Sequence, residues 1–334
     1  MKKLIALFLA TLMVFALSST AFGDELPDYN LEIKFNVVGG EASLQSQSLA
    51  KFAELVKEKT NGNITITCFF NAQLADNKTA PIMVSDGSID MTSGCGTSWM
   101  SDYVPALGFA TAPYVFESGA HWQAVFNSDI FGDLVQQFED KLGVKVLGFQ
   151  YLGDRNVVSN IAASTPEEFG AINMRVPTTQ AYLDAAEVIG CSATAMSLNE
   201  VYLALQTGTV DAVEQALDSV ISYNFQEVTK YLIMTQHMFD NAGVIINRDL
   251  WNSIPEVYQD IILSCIAESN AWLYETKLSD EEIYKQKILD AGLELIEPDI
   301  TLFMERAAEL VYPKYAETWG EGTIDAVRAL APEA

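Results

Sequence analysis

Few residues in this 334-residue chain are of types that carry catalysis. Only two histidines occur, His121 and His237, which excludes a His-rich metal centre. A serine triad would have to use one of them, yet no G-x-S-x-G turn is present. Neither G-x-x-x-x-G-K-[ST] nor a G-x-G-x-x-G after a strand occurs. Gly94-Cys95-Gly96-Thr97-Ser98 is the nearest approach to an anion-cradling loop, and its plainer meaning is a turn after a strand. His121, beside Trp122 at a helix start, reads as structural. The acidic pairs Glu167-Glu168 and Glu281-Glu282 read as solvated faces. No metal or cofactor is expected, and the chain does not read as an enzyme. Recognition chemistry is what remains. The chain carries 19 basic against 45 acidic residues, for a formal charge of −26. A protein this acidic that binds an anion must concentrate its few arginines where the anion sits.

The same charge repels nucleic acid and anionic lipid, so neither is an expected partner. Met1, Lys2 and Lys3 form a basic head, Leu4 to Leu17 is almost unbroken apolar sequence, and Ala21 and Gly23 supply small residues before Asp24. This is the pattern of a secretory signal peptide, cut after Gly23. The apolar run is too short to span ~30 Å of hydrocarbon comfortably, and no Cys follows it to carry a lipid. Export to the periplasm is expected, with no membrane insertion of the mature chain. Loss of Lys2 and Lys3 takes the mature charge to −28. Export also permits disulfides among Cys68, Cys95, Cys191 and Cys265, but a chain this long needs no staples. Their apolar surroundings favour buried free thiols.

Elements able to position a site follow from the periodicity. Leu31–Val38 alternates as a strand, 43–60 repeats at helical spacing until Asn61-Gly62, and 63–70 is a second strand. A short helix over 78–85 and a strand over 89–92 complete a βαβαβ series, which requires a parallel sheet covered on both faces. After a helix at 129–141 and a strand at 144–151, a second α/β block starts. It has strands at 157–162, 172–176 and 210–213, helices at 179–189 and 197–206, and a returning strand at 244–247. From Pro255 to Asp290 the pattern stays helical, long enough to lie across two lobes, and a last helical stretch begins at Asp299. No linker separates independent domains, which suits two lobes sharing several crossings.

The densest signal runs from Arg155 to His237. It contains R-N-V-V-S-N, T-P-E-E-F-G-A-I-N-M-R-V-P, A-M-S-L-N-E-V-Y-L-A-L-Q-T-G-T-V-D-A-V-E-Q and F-Q-E-V-T-K-Y-L-I-M-T-Q-H. With F-F-N-A-Q-L at Phe69–Leu74 and A-P-Y-V-F at Ala112–Phe116, this closely resembles the solute-binding subunits of TRAP transporters, the DctP family, over nearly the whole mature chain. The resemblance implies a two-lobe periplasmic-binding-protein clamshell bridged by a long helix, closing on a carboxylate and handing it to integral membrane permease subunits. It implies lobe I over 24–152 plus 241–280, and lobe II over 153–240 plus 281–334. Arg175, in Met174-Arg175-Val176-Pro177, matches the family arginine that holds the ligand carboxylate, a task suited to the rigid guanidinium fork. Arg155 matches a second arginine near the same carboxylate, although it follows a Gly-Asp turn and a structural ion pair is its plain alternative. Gln215 stands where the family usually has Asn, one methylene longer.

Further expected ligand contacts are Trp99, Cys95, Ser98, Asn77, His237 and Leu198. Val38, Cys95 and Ser98 occupy positions that are polar or charged in sialic-acid-binding relatives. With Trp99 alongside, they point to an aromatic or apolar monocarboxylate, Trp99 serving either as a stacking ring or as inter-lobe packing. The alternatives are a uronate or aldonate, or a C4-dicarboxylate, with hydroxyls met by water and by Asn71, Asn77 or His237. A binding protein that feeds a sensor is the other functional class.

Overall fold

A computed structural model describes residues 26–332; the expected leader lies outside the described residues. The first stretch forms β1 (Leu31–Asn36), α1 (Leu44–Lys59), β2 (Ile64–Phe69), α2 (Ala80–Ser85), β3 (Met91–Thr92) and α3 (Thr97–Met100). A 3-10 turn at Pro105–Thr111 leads to α4 (Gly119–Phe126), α5 (Asp129–Leu142) and the long β4 (Val144–Ser159). Next come α6 (Pro166–Phe169), β5 (Asn173–Val176), α7 (Gln180–Ile189), β6 (Ser192–Ala195), α8 (Val201–Gln206), β7 (Ala212–Gln215), α9 (Leu217–Ser222) and β8 (Tyr231–Asn247). The chain closes with α10 (Arg248–Ser253), α11 (Glu256–Asp290), β9 (Glu294–Ile296), α12 (Thr301–Leu310), α13 (Tyr312–Trp319) and α14 (Thr323–Arg328).

Local chemistry sets several boundaries. Ser43 caps α1 by accepting from the Ser46 N–H, and Lys57 and Lys59 complement the carbonyl end of that helix. Gly143 and Gly190 end α5 and α7 in the left-handed conformation that glycine adopts without strain. A sharper constraint falls on Gly96, where an added Cβ would stand 2.5 Å from the Asn241 carbonyl oxygen. Only glycine allows α3 to start against β8.

The nine strands lie in the order β2-β1-β3-β8-β4-β7-β5-β6, with β9 beside β8. Parallel pairs β1–β2 and β1–β3 build lobe I, and β5–β7 and β5–β6 build lobe II. The antiparallel pair β4–β8 runs through both. Here the structure corrects the expected strand list. The strands expected at 144–151 and 157–162 are one 16-residue strand, and the one expected at 244–247 is the end of a 17-residue strand. Register shifts at Gly148 and Gly153 bend β4 without breaking it. The positive φ of both glycines belongs to these irregularities, not to a turn.

One core cluster runs across both lobes, joining Trp99 and Phe138 of lobe I with Phe169 and Met174 of lobe II, and each lobe adds a smaller core of its own. Ile33, Phe35, Leu49, Phe52 and Ile262 pack in lobe I, with Phe35 edge-on to Phe52 at 6.3 Å. Val158, Val201, Leu205, Val213 and Phe225 pack in lobe II. The 35-residue α11 spans ~52 Å and packs on α1, β4 and α9, so it bridges both lobes as expected. The C-terminal helices also bridge, whereas the sequence assigned them to lobe II alone. Arg306 donates to the Val188 carbonyl at 2.8 Å in lobe II. Tyr312 donates to the Pro113 carbonyl at 2.8 Å in lobe I. His121 is indeed structural: its Nδ1 accepts from the Glu117 N–H and its Nε2 bonds the Val327 carbonyl at 2.8 Å.

All four cysteines are free. Cys95 and Cys265 are buried and the other two partly so. Burial pushes Cys191 up to about 12 and Cys68 and Cys265 to about 11, which makes them poor nucleophiles. The Glu281-Glu282 pair does not behave as one solvated face. Glu282 is exposed, but Glu281 turns into a pocket where α11 meets the crossing strand, lined also by Asp154, Asp218 and Lys277. Burial, and then the Asp154 carboxylate, push Glu281 up to about 7. No helix among the described residues is long and apolar enough to cross a membrane.

Candidate ligand-binding site

Several candidate residues lie at the carboxyl ends of parallel strands, where open α/β sheets place their ligands, whereas Arg155 and His237 sit within the antiparallel crossing strands β4 and β8. In lobe I, β1 runs out into Val38–Gly40, β2 into Asn71, and β3 into the Gly94–Ser98 loop. An added Cβ on Gly94 would lie 2.9 Å from Asn77 Oδ1 and 3.0 Å from Val38 Cγ2, which brings those three positions together. In lobe II, Arg175 is the third residue of the four-residue β5 and Gln215 the last of β7. Arg175 pairs in register with Val213, and Gln215 with Asn156, next to Arg155. The two arginines and the glutamine therefore come from three strands, β4, β7 and β5, that neighbour one another in the sheet.

Arg175 is only 3% exposed. Its Nε and Nη2 both donate to the Met196 carbonyl, at 3.1 and 2.8 Å. Its Nη1 is buried with no hydrogen-bond partner. One edge of the fork is thus clamped by backbone, which fixes the guanidinium plane, while the Nη1–Nη2 edge keeps unused donors. Burial pulls the Arg175 pKa down to about 10, with the Glu214 charge opposing it. It remains a cation at neutral pH, in surroundings that would gain from an anion.

Arg155 is held quite differently. Its Nε and Nη2 bond the Glu214 carboxylate, its Nη1 bonds Asp240, and Nη2 also donates to the Glu214 carbonyl at 2.9 Å. Tyr182 extends the network by donating to Asp240 at 3.0 Å, and the guanidinium lies 4.9 Å above the Tyr182 ring. Burial works against the Arg155 cation, and Glu214 with Asp240 more than restore it, raising its pKa. Burial pushes the Glu214 carboxyl up, but Arg155 and then His237 pull it below the usual range. His237 is fully buried. Its Nδ1 bonds Thr235 Oγ1 at 2.8 Å, and its Nε2 stands 3.5 Å from Glu214, an electrostatic contact rather than a formed hydrogen bond.

The remaining expected contacts divide. Trp99 is 8% exposed, with its ring 4.7 Å from Tyr103 and edge-on to Phe138 at 6.1 Å. That is aromatic packing within lobe I, not the packing between lobes that the sequence offered as the alternative. Cys95 is fully buried, and its carbonyl accepts from the Gly243 N–H. Ser98 and Leu198 are partly exposed, and Asn71 and Asn77 are exposed. Sequence reasoning did not single out Glu214, Asp240 or Tyr182 as site residues. Glu214 stands inside the quoted V-D-A-V-E-Q, but nothing local tells that it faces an arginine 59 residues away.

Residues 35–318 match the family described as bacterial extracellular solute-binding protein, family 7, DctP. A Vibrio cholerae protein named sialic acid-binding periplasmic protein SiaP is 27% identical over 298 residues, 89% of this chain and 92% of its own. The Escherichia coli 2,3-diketo-L-gulonate-binding periplasmic protein YiaO is 29% identical over 296 residues, covering 87% and 86%. A solved TRAP periplasmic solute binding protein from Roseobacter denitrificans, with bound 3-deoxy-D-manno-oct-2-ulosonic acid, has the same fold at a TM-score of 0.85 and 26% identity. That match covers 90% of this chain and all of the other. This is a family of binding proteins and not of enzymes, and the chain belongs to it: it is a DctP-family, family 7 extracellular solute-binding protein of the TRAP type.

Proposed function

We propose that the exported chain captures a small organic acid between its lobes and delivers it to integral membrane TRAP permease subunits, the ligand carboxylate resting on the Nη1–Nη2 edge of Arg175. The observation that carries this is the unpartnered, buried Nη1 beside an Nη2 whose other edge the Met196 carbonyl holds in place. A two-oxygen anion meets that edge with two parallel N–H···O bonds, which a lysine ammonium cannot reproduce. Arg155 acts as a positioning residue. Four of its N–H bonds go to Glu214 and Asp240, which leaves it one donor at most for a ligand. Gln215, 6% exposed, ends β7 beside this pair and offers an amide to the same acid.

For the body of the ligand, the aromatic reading keeps Val38 but loses its platform, because the Trp99 ring is packed against Tyr103 and Phe138. A hydroxylated acid is better supported. Asn71 and Asn77 lie exposed at the lobe I strand ends, and the three relatives described above carry sugar acids in their names or in their pocket. Calorimetry with a panel of uronates, aldonates, C4-dicarboxylates and aromatic acids tests both parts. Arg175→Ala and Arg175→Lys should each abolish binding of whichever acid the wild type takes. Unchanged affinity in both would overturn the carboxylate seat, and binding of aromatic acids alone would overturn the choice of body.

A further inference from the structure

One contact joins the two lobes near Arg175. Tyr223, the residue that closes α9 in lobe II, accepts a hydrogen bond on its hydroxyl from the Gly40 N–H of lobe I, at 3.4 Å and 183 residues away in sequence. Gly40 lies in the turn that follows β1, and an added Cβ there would lie 3.6 Å from Asn71 Oδ1 and 3.8 Å from the Tyr223 hydroxyl. The tyrosine is well fixed. Its ring stacks on Phe225 at 5.7 Å and 16°, and Asn224, in the left-handed conformation, turns the chain sharply between the two rings. Its phenol also feels the open guanidinium: burial raises the Tyr223 pKa, while the Gly40 N–H and the Arg175 charge draw it back.

We propose that Tyr223 is the latch of the clamshell, a positioning residue whose hydroxyl ties lobe II to the turn after β1 and so holds the lobes together over Arg175. A tyrosine hydroxyl that accepts from a backbone N–H still has its own proton to give. That proton is left free to be given to an oxygen of an acid seated at Arg175. The hinge strands β4 and β8 only permit closure, being continuous through both lobes; the latch gives closure a specific contact to make and break. Its use in ligand capture rests on the carboxylate reading of Arg175, but the contact itself does not.

Hydrogen exchange of the full mature protein, with and without each acid of the calorimetry panel, tests it residue by residue. Tyr223→Phe keeps the ring and its stacking and removes only the hydroxyl. The Gly40 amide should then exchange roughly fivefold faster, the loss of one ordinary hydrogen bond, while the β1 core amides of Ile33 and Phe35 keep their wild-type rates. Wild-type exchange at Gly40 would overturn the latch. So would a uniform acceleration of all three amides, which would mean that Tyr223 acts through global stability. The readout is an amide of lobe I and not an affinity, so its failure is distinguishable from failure of the Arg175 seat. Arg175→Lys with undiminished affinity would sink the carboxylate seat and leave the latch standing.

Discussion

Two buried arginines, on strands with one other strand between them, have opposite surroundings. Arg155 faces two carboxylates and a tyrosine ring, and its charge is balanced within the fold. Arg175 bonds a backbone carbonyl on one edge, and its Nη1 has no hydrogen-bond partner among the described residues. The first is an internal ion network. The second is a cation placed in low dielectric and left short of a counter-ion. A buried charge is tolerable when paired and costly when not, so the same residue type is an internal counter-ion in one place and, in the proposed function, the ligand's seat in the other. The contrast rests on partners and not on burial, since both side chains are almost fully enclosed.

The strongest way to break the comparison is to remove each guanidinium in turn. Arg155→Met strands Glu214 and Asp240 without their cation, and should cost about 3–5 kcal/mol of folding stability in chemical denaturation. Arg175→Met should leave the ligand-free protein as stable as wild type or slightly more so, because it removes an unpaired buried charge. The same variant should lose ligand affinity by about 2–5 kcal/mol in calorimetry. Equal destabilisation by both substitutions would erase the distinction.

A smaller effect sharpens it through pH. Glu214 has a depressed carboxyl, so its stabilising contribution is present above the usual carboxylate range and is lost as pH falls through it. Glu281 has the opposite sign. With its carboxyl raised from 4.5 to about 7, its contribution is complete below pH 4.5 and is lost as pH rises through about 7. It faces Asp154 on β4, Asp218 on α9, and Lys277, Glu282 and Lys285 on its own helix, and the Lys277 ammonium is taken by Asp218 and the Leu152 carbonyl. Glu281→Gln should flatten the fall in melting temperature between pH 5 and 7. As Glu281 is partly solvated, the difference should amount to about 1 kcal/mol or less. Identical pH profiles for the two proteins would remove Glu281 as the titrating group.

A change of similar size in stability, with none in affinity, is expected where Trp99 packs within lobe I. Trp99→Phe should lower stability by about 1 kcal/mol through lost packing on Tyr103 and Phe138 and leave ligand affinity as in wild type. A fall in affinity without a fall in melting temperature would restore Trp99 as a ligand contact.

Much of this was legible in the chain itself. Helical spacing and stop signals located α1, α5, α7 and the full length of α11, because a helix is specified by neighbours within a turn or two. The motif run from Arg155 to His237 carried the family, and it pointed to Arg175 as the carboxylate seat proposed above. Periodicity could not show that β4 and β8 pass unbroken through both lobes. Gly148 and Gly153 look like breakers in sequence, and only the pairing partner turns them into register shifts. Nor could it separate the two arginines. Arg155 meets Glu214 and Asp240 across 59 and 85 residues, whereas Arg175 meets only the Met196 carbonyl, 21 residues on. Glu281 and Glu282 read alike until the helix seats one of them against Asp154. Composition and spacing determine which segments form and which groups are scarce. Which group is satisfied and which is left open depends on contacts between residues far apart in sequence, and those exist only once the sheet has assembled.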